Sequence, residues 1–214
     1  MKAVIIPVTP FQQNCSIMWE ESSRRAAVVD PGGDLDRVLA QLDHLELTLE
    51  KILLTHAHMD HAAGTAQLAA LKQVPIEGPH ADDQFLIDDL PASAAKYGFP
   101  PSATFLPNRW LEDGATVTVG GETLQVKHCP GHTPGHVVFF HEAQRVAWVG
   151  DVLFAGSIGR SDLPRGDHEL LVRSIRSKLF PLGDDVTFVP GHGPTSTFGR
   201  ERQTNPFVAD RRFR

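Results

Sequence analysis

The 214-residue sequence predicts an α/β fold in which sheets are covered by helices on their outer faces. Three observations carry that reading. Short β-branched, apolar runs recur between glycines and prolines; helical patterns lie between some of them; and no long linker or short-period repeat interrupts the series. At this length one large domain over 1–214 is the better fit than two small ones.

In order, "AVIIPV" (3–8) and "AAVVD" (26–30) read as strands. "DLDRVLAQLDHL" (34–45) places apolar residues at 35, 38, 39 and 42, one face of a helix, with Asp34 at its N-cap. "KILLT" (51–55) is a strand, and "AAGTAQLAALKQ" (62–73) a second helix. From "EGPHADDQFLIDDL" to "LPNRW" the pattern is less regular, as for a helix plus loops near a site. Then come the strands "ATVTVG", "TLQVKHC", "HVVFF" and "RVAWVGD", the helix "DHELLVRSIRSKLF" (167–180), and the strand "VTFVPG". Residues 200–214 hold five arginines and read as a solvated, partly frayed end.

A net charge of −6 argues against a broad nucleic-acid or anionic-membrane footprint. Two cysteines, Cys15 and Cys129, make no disulfide framework and suit a reducing compartment. An uninterrupted run of only four apolar residues precedes Pro7, too few for a signal-peptide core, and no run approaches the ~18 of a membrane span. The expectation is a cytoplasmic protein with no nucleic-acid or membrane partner.

The chemistry lies where strands end. "KILLT" runs into "HAHMDH", which packs His56, His58, Asp60 and His61 into six positions. "TLQVKHC" leads to His132 in "PGH", "RVAWVG" to Asp151, and "VTFV" to His192 in a second "PGH". Loops beyond strand ends, held by a rigid scaffold, are where α/β folds bind ligands. Seven such side chains exceed one zinc ion, which takes three protein ligands in a catalytic site. Two ions explain the number: His56, His58 and His132 for one, Asp60, His61 and His192 for the other. Asp151 then bridges them, with a water or hydroxide in the shared open position. His44, His80, His141 and His168 stand beside no such pattern and read as surface or hydrogen-bonding residues.

These residues resemble the metallo-β-lactamase superfamily, whose mark is T-H-x-H-x-D-H followed by a later His, Asp and His. Here the motifs are "THAHMDH", "PGHTPGH", "GD" and "PGHG", spread over nearly the whole chain. The resemblance implies a four-layer αββα sandwich with metals at one edge. Within the superfamily the chain is similar to small bacterial type II glyoxalase-like hydrolases, on "CPGHTPGH", "GDVLFAGSIGR" and "ERQTNPF". That branch implies hydrolysis of S-D-lactoylglutathione, a thioester of glutathione, and two divalent ions: zinc first, with iron or manganese also served by these donors. It also implies a substrate-binding role for Arg160, which stands where a lysine is usual. Asp162 replaces an expected tyrosine, and the chain stops soon after "NPF", where larger glyoxalases add a helical extension.

The expected reaction is attack of the bridging hydroxide on the thioester carbonyl, with Asp60 and Asp151 indispensable. Asp30 and His136 read as supports of the centre or as local structural residues, and Cys129 as a packed thiol. A second branch of the fold, the persulfide dioxygenases, uses one iron on two histidines and one aspartate, here His56, His132 and Asp151.

Overall fold

The computed structural model describes residues 1–210. A first sheet contains, in spatial order, β1 (Lys2–Val8), β2 (Gln13–Trp19), β3 (Arg25–Val29), β4 (Thr48–Leu53) and β5 (Ile76–Glu77). The β1–β2 and β2–β3 pairs are antiparallel, whereas β3–β4 and β4–β5 are parallel. Parallel neighbours need a crossover. α1 (Leu35–His44) supplies the first, and α2 (Met59–Ala62) with α3 (Thr65–Lys72) the second. α4 (Gln84–Tyr97) lies on the passage to the second sheet.

That sheet is built from β6 (Thr116–Val119), β7 (Glu122–His128), β8 (Val137–His141) and β9 (Val146–Gly150). A small hairpin, β10 (Leu153–Phe154) and β11 (Ser157–Ile158), and α5 (His168–Ser174) precede its last strands, β12 (Thr187–Pro190) and β13 (Ser196–Thr197). The spatial order is β13-β12-β9-β8-β7-β6, and α6 (Phe198–Thr204) follows β13.

Alternation along each strand sorts side chains into three cores. Met18, Ala27, Val29 and Leu53 meet Val126, Phe139 and Trp148 between the sheets. Their neighbours Ile17, Val28 and Ile52 pack instead with Val38, Leu42, Leu68 and Ile87 of the helices. On the far side Val138, Phe140 and Phe188 pack with Leu171, Ile175 and Phe198. The layers are therefore αββα. Strands buried on both faces read as near-continuous apolar runs, which is why "AAVV" and "HVVFF" stand out in the sequence.

Several local expectations change. β2 was not among the expected strands. Asp34 stands at the N-cap position of α1 but does not cap it: its φ is +46°, and its Oδ2 accepts from the Thr9 backbone N–H at 2.9 Å. The 62–73 helix divides into α2 and α3 around Gly64. The 167–180 helix widens into a π-helical turn at Ile175–Leu179. Residues 200–210 are not a frayed end, because Phe198 and Val208 are buried and Arg202 bridges Asp184 and Asp210. The arginines at 211, 212 and 214 lie outside the described residues. Among the described residues no helix is long and apolar enough to cross a membrane.

Candidate metal centre

Both sheets deliver ligands to one edge of the sandwich. From the first sheet, β4 passes through Leu54 and Thr55 to His56 and His58, and α2 then carries Asp60 and His61. From the second, β7 leads to His132, β9 to Asp151 and β12 to His192. Asn14 of β2 ties the sheets together there. Its N–H donates to the Gly191 carbonyl at 2.7 Å, and its Nδ2 to those of Pro190 and Gly193 at 3.0 and 2.8 Å.

The seven predicted residues converge as two groups and a shared carboxylate. His56, His58 and His132 bring one ligand atom each within 4.8 Å of one another, as do Asp60, His61 and His192. Asp151 stands between them: 3.6 Å from His132 Nε2, and 3.3 and 3.7 Å from the Nε2 atoms of His61 and His192. Gly191 makes this possible, since a Cβ there would sit 2.0 Å from Asp151 Oδ1. His136 stacks flat on His56 at 4.5 Å between centroids.

Four imidazoles are turned the same way by protein acceptors. His61 Nδ1 donates to Asp30 Oδ2 at 2.9 Å, His132 Nδ1 to the Arg160 carbonyl at 2.7 Å, and His192 Nδ1 to the Phe11 carbonyl at 3.1 Å. The Thr55 hydroxyl gives its one hydrogen to Asp30 at 2.6 Å, so at 3.0 Å it can only accept from His56 Nδ1. In its neutral form each ring thus carries its proton on Nδ1 and presents a bare Nε2 lone pair, as metal-binding histidines do. His58 is reversed, with Nδ1 only 2.9 Å from His132 Nε2. Nitrogens sharing a tetrahedral ion stand about 3.3 Å apart, so this spacing is close to a shared-ion geometry. Asp30 also accepts the Thr55 N–H at 2.7 Å, so it is both turn residue and support of the centre.

Electrostatics divides the groups. Burial drives His56 well below the usual histidine range, His58 down to about 3, and His132 downward despite Asp151 nearby. Neutral imidazole is the ligating form. Burial opposes charge on Asp60, Asp151, His61 and His192 alike, yet the metal-free groups hold one another charged: the imidazoles keep both carboxyls below their usual range, and the carboxylates raise His61 and His192 above the usual histidine range. A cation in this place would take over from those protons.

The donor set fits divalent metal. His56 Nε2, His61 Nε2 and Asp151 Oδ1 are buried without a hydrogen bond, in one place, whereas buried polar atoms nearly always have partners. Lone pairs that face each other suit a cation. A third histidine group, His80, Asp82 and His128, lies elsewhere. Its rings are stacked 15° from parallel, so their in-plane lone pairs run side by side and do not converge. His44 and His168 are exposed, and His141 pairs with Glu122 at 2.9 Å. Cys129 is buried, which pushes its thiol up to about 12.

A cavity of about 850 Å³ opens over the centre, lined by Phe11, Leu86, Leu90, Phe154 and Ile158, with Lys96, Tyr97 and Arg160. Arg160 reaches this cavity, but its guanidinium is gripped by Asp162 through two bonds of 2.8 Å. Lys96 makes no ion pair among the described residues. Sequence reasoning missed Phe11, Asn14, Asp83 and the α4 wall. Only the irregular "EGPHADDQFLIDDL" stretch, read as lying near a site, signalled the last two.

Comparison with known proteins agrees with this architecture. Residues 8–199 match the family described as Metallo-beta-lactamase superfamily. The chain is 46% identical over 209 residues to hydroxyacylglutathione hydrolase GloC of Haemophilus influenzae, covering 97% of this chain and 98% of that protein. The BLEG-1 B3 metallo-beta-lactamase structure superposes with a TM-score of 0.89 at 36% identity, covering 97% of this chain and 99% of the other. The structure of TTHA1623 in a di-iron-bound form gives 0.87 at 36% identity, covering 96% and 100%. With its αββα layers and its ligand loops at one sheet edge, the chain belongs to the metallo-β-lactamase superfamily.

Proposed function

We propose that the protein is a binuclear metal-dependent thioesterase of the glyoxalase II type, one domain over 1–214, acting on S-D-lactoylglutathione or a related acyl thioester. One geometric observation carries the reading: Asp151 lies between two complete three-residue groups, within 3.7 Å of both. The 46% identity to a hydroxyacylglutathione hydrolase supports the substrate class.

In this reading His56, His58 and His132 hold one ion, Asp60, His61 and His192 the other, and Asp151 both. Zinc suits these nitrogen and oxygen donors, and iron and manganese are also accommodated. Bound there, the ions supply charge that polarises a carbonyl and acidifies water. The chain's own part is to orient and to exclude. Asp30, Thr55 and the carbonyls of Phe11 and Arg160 hold four imidazoles in one tautomer. Leu86, Leu90, Phe154 and Ile158 line the cavity and keep water from an acyl group lying against the centre. A thiolate leaves readily, so the cavity needs no strong general acid. Lys96 is the cation available to carboxylates of the thiol portion, and Arg160 would join it on release from Asp162.

The test is a metal count on the purified protein, with S-D-lactoylglutathione turnover followed in the same sample. Close to two ions per chain with turnover supports the reading. One iron per chain, no thioester turnover, and oxygen uptake with glutathione persulfide would overturn it in favour of a persulfide dioxygenase.

A further inference from the structure

We propose that Asp83 is the positioning residue of the three-histidine group, one carboxylate that sets the spacing of both loops carrying His56, His58 and His132. The inference rests on the reading that this group holds an ion.

Asp83 is the second of two adjacent aspartates in "HADDQ". Asp82 is exposed, whereas Asp83 is fully buried at the end of a single 3₁₀ turn, Ala81–Asp83. Its carboxylate touches no ligand directly. Oδ1 accepts the Gly135 N–H at 2.6 Å, and Oδ2 accepts the Thr133 hydroxyl at 2.9 Å and the Ala57 N–H at 3.1 Å. Ala57 sits between His56 and His58, and Thr133 directly follows His132. All three histidines of the group are therefore sequence neighbours of a residue fastened to this carboxylate, whereas Asp60, His61 and His192 are not.

The fit is close. A Cβ on Gly135 would stand 2.7 Å from Asp83 Oδ1, so glycine is what allows the loop to reach the carboxylate. The backbone adds a second tie, with the His80 N–H donating to the Gly135 carbonyl at 3.0 Å. An ionised carboxylate offers only acceptors, and here it meets three donors. An amide in its place turns one oxygen into an NH₂, which must face at least one of those donors. Asp83→Asn thus keeps the volume and breaks the clamp. Partners of this kind set ligand orientation, and their loss weakens metal binding by about 10- to 100-fold.

The experiment titrates zinc into the chelator-stripped full chain against a chromophoric competitor, resolving stepwise affinities for wild type, D83N and T133V. His56→Ala, run alongside, identifies the step that belongs to the three-histidine group. The visible spectrum of the cobalt(II)-loaded proteins reports the ligand field of that site. In D83N the step lost in His56→Ala weakens at least tenfold and the cobalt bands shift, while the other step is unchanged. T133V, which removes one donor of three, moves the same step in the same direction by less. Unchanged affinities and spectra in D83N would overturn the proposal, as would equal weakening of both steps. Should wild type take up a single ion, the two-ion reading falls. Asp83 is then judged on that ion: tenfold weaker binding in D83N supports its role, and equal binding refutes it.

Discussion

His136 accepts, through Nε2, the backbone N–H of Asp151 at 3.0 Å while its ring lies flat beneath His56. The amide can only donate, so Nε2 is bare and the proton sits on Nδ1. One buried side chain thus fixes the carboxylate shared by both groups and the floor under a ligand. His136→Ala strips the amide of its partner and leaves a hole. It should cost about 2–4 kcal/mol in urea unfolding and weaken metal binding. A variant with wild-type stability and metal content would contradict this.

Asp30 accepts the Thr55 N–H, the Thr55 hydroxyl and His61 Nδ1. Asp30→Ala orphans all three donors, frees His61 to change tautomer, and should weaken metal binding about 10- to 100-fold. Chelator competition measures it, and equal retention of metal would count against a supporting role for Asp30.

Replacing Asp60 or Asp151 by alanine should abolish thioester hydrolysis while the circular dichroism spectrum stays native. Asp151 matters more for metal content, because it approaches both groups. Normal turnover by either variant would exclude the binuclear scheme.

Burial raises the Asp83 carboxyl to about 6, although the bonds from Thr133, Gly135 and Ala57 pull it down. A folded-state value above the unfolded one favours the protonated form in the native protein. Its stability contribution is fully present below about pH 4 and lost as pH rises through about 6. In metal-free protein, the stability of wild type relative to D83N should therefore fall by at most about 3 kcal/mol from pH 4.5 to 7.5. Urea unfolding across that range decides it; a pH-independent difference would rule out this titration.

Arg160 is held by Asp162, whereas Lys96 is not engaged in an ion pair among the described residues. Lys96→Ala should raise KM for a glutathione thioester several-fold, up to about tenfold, with kcat little changed. Arg160→Ala should do less, and Asp162→Ala should lower KM by releasing the arginine. The opposite ranking would assign recognition to Arg160.

The convergence of the seven candidate ligands was legible because they fall at strand ends in short, dense motifs: four within His56–His61 alone. The layered fold was legible because strands buried on both faces are apolar throughout. β2 was missed because Gln13, Asn14 and Ser16 break its apolar run, although Gln13 and Ser16 are fully buried. Asp83 was missed for a different reason. Next to Asp82, ahead of a helix, it has the local appearance of an ordinary helix start, and its partners lie 26 to 52 residues away. The engagement of Arg160 spans two positions, yet depends on a loop conformation that residue types do not specify.

Because one sheet supplies His56 to His61 and the other supplies His132, Asp151 and His192, the centre is also a matter of timing. At elongation rates of roughly 5–20 residues per second, on the order of ten seconds separate the synthesis of His61 from that of His192. Throughout that interval the nascent "HAHMDH" segment carries its four candidate ligands without their partners. A chain that has made only its first sheet holds these side chains without the three from the second, so the seven converge only after both sheets are in place.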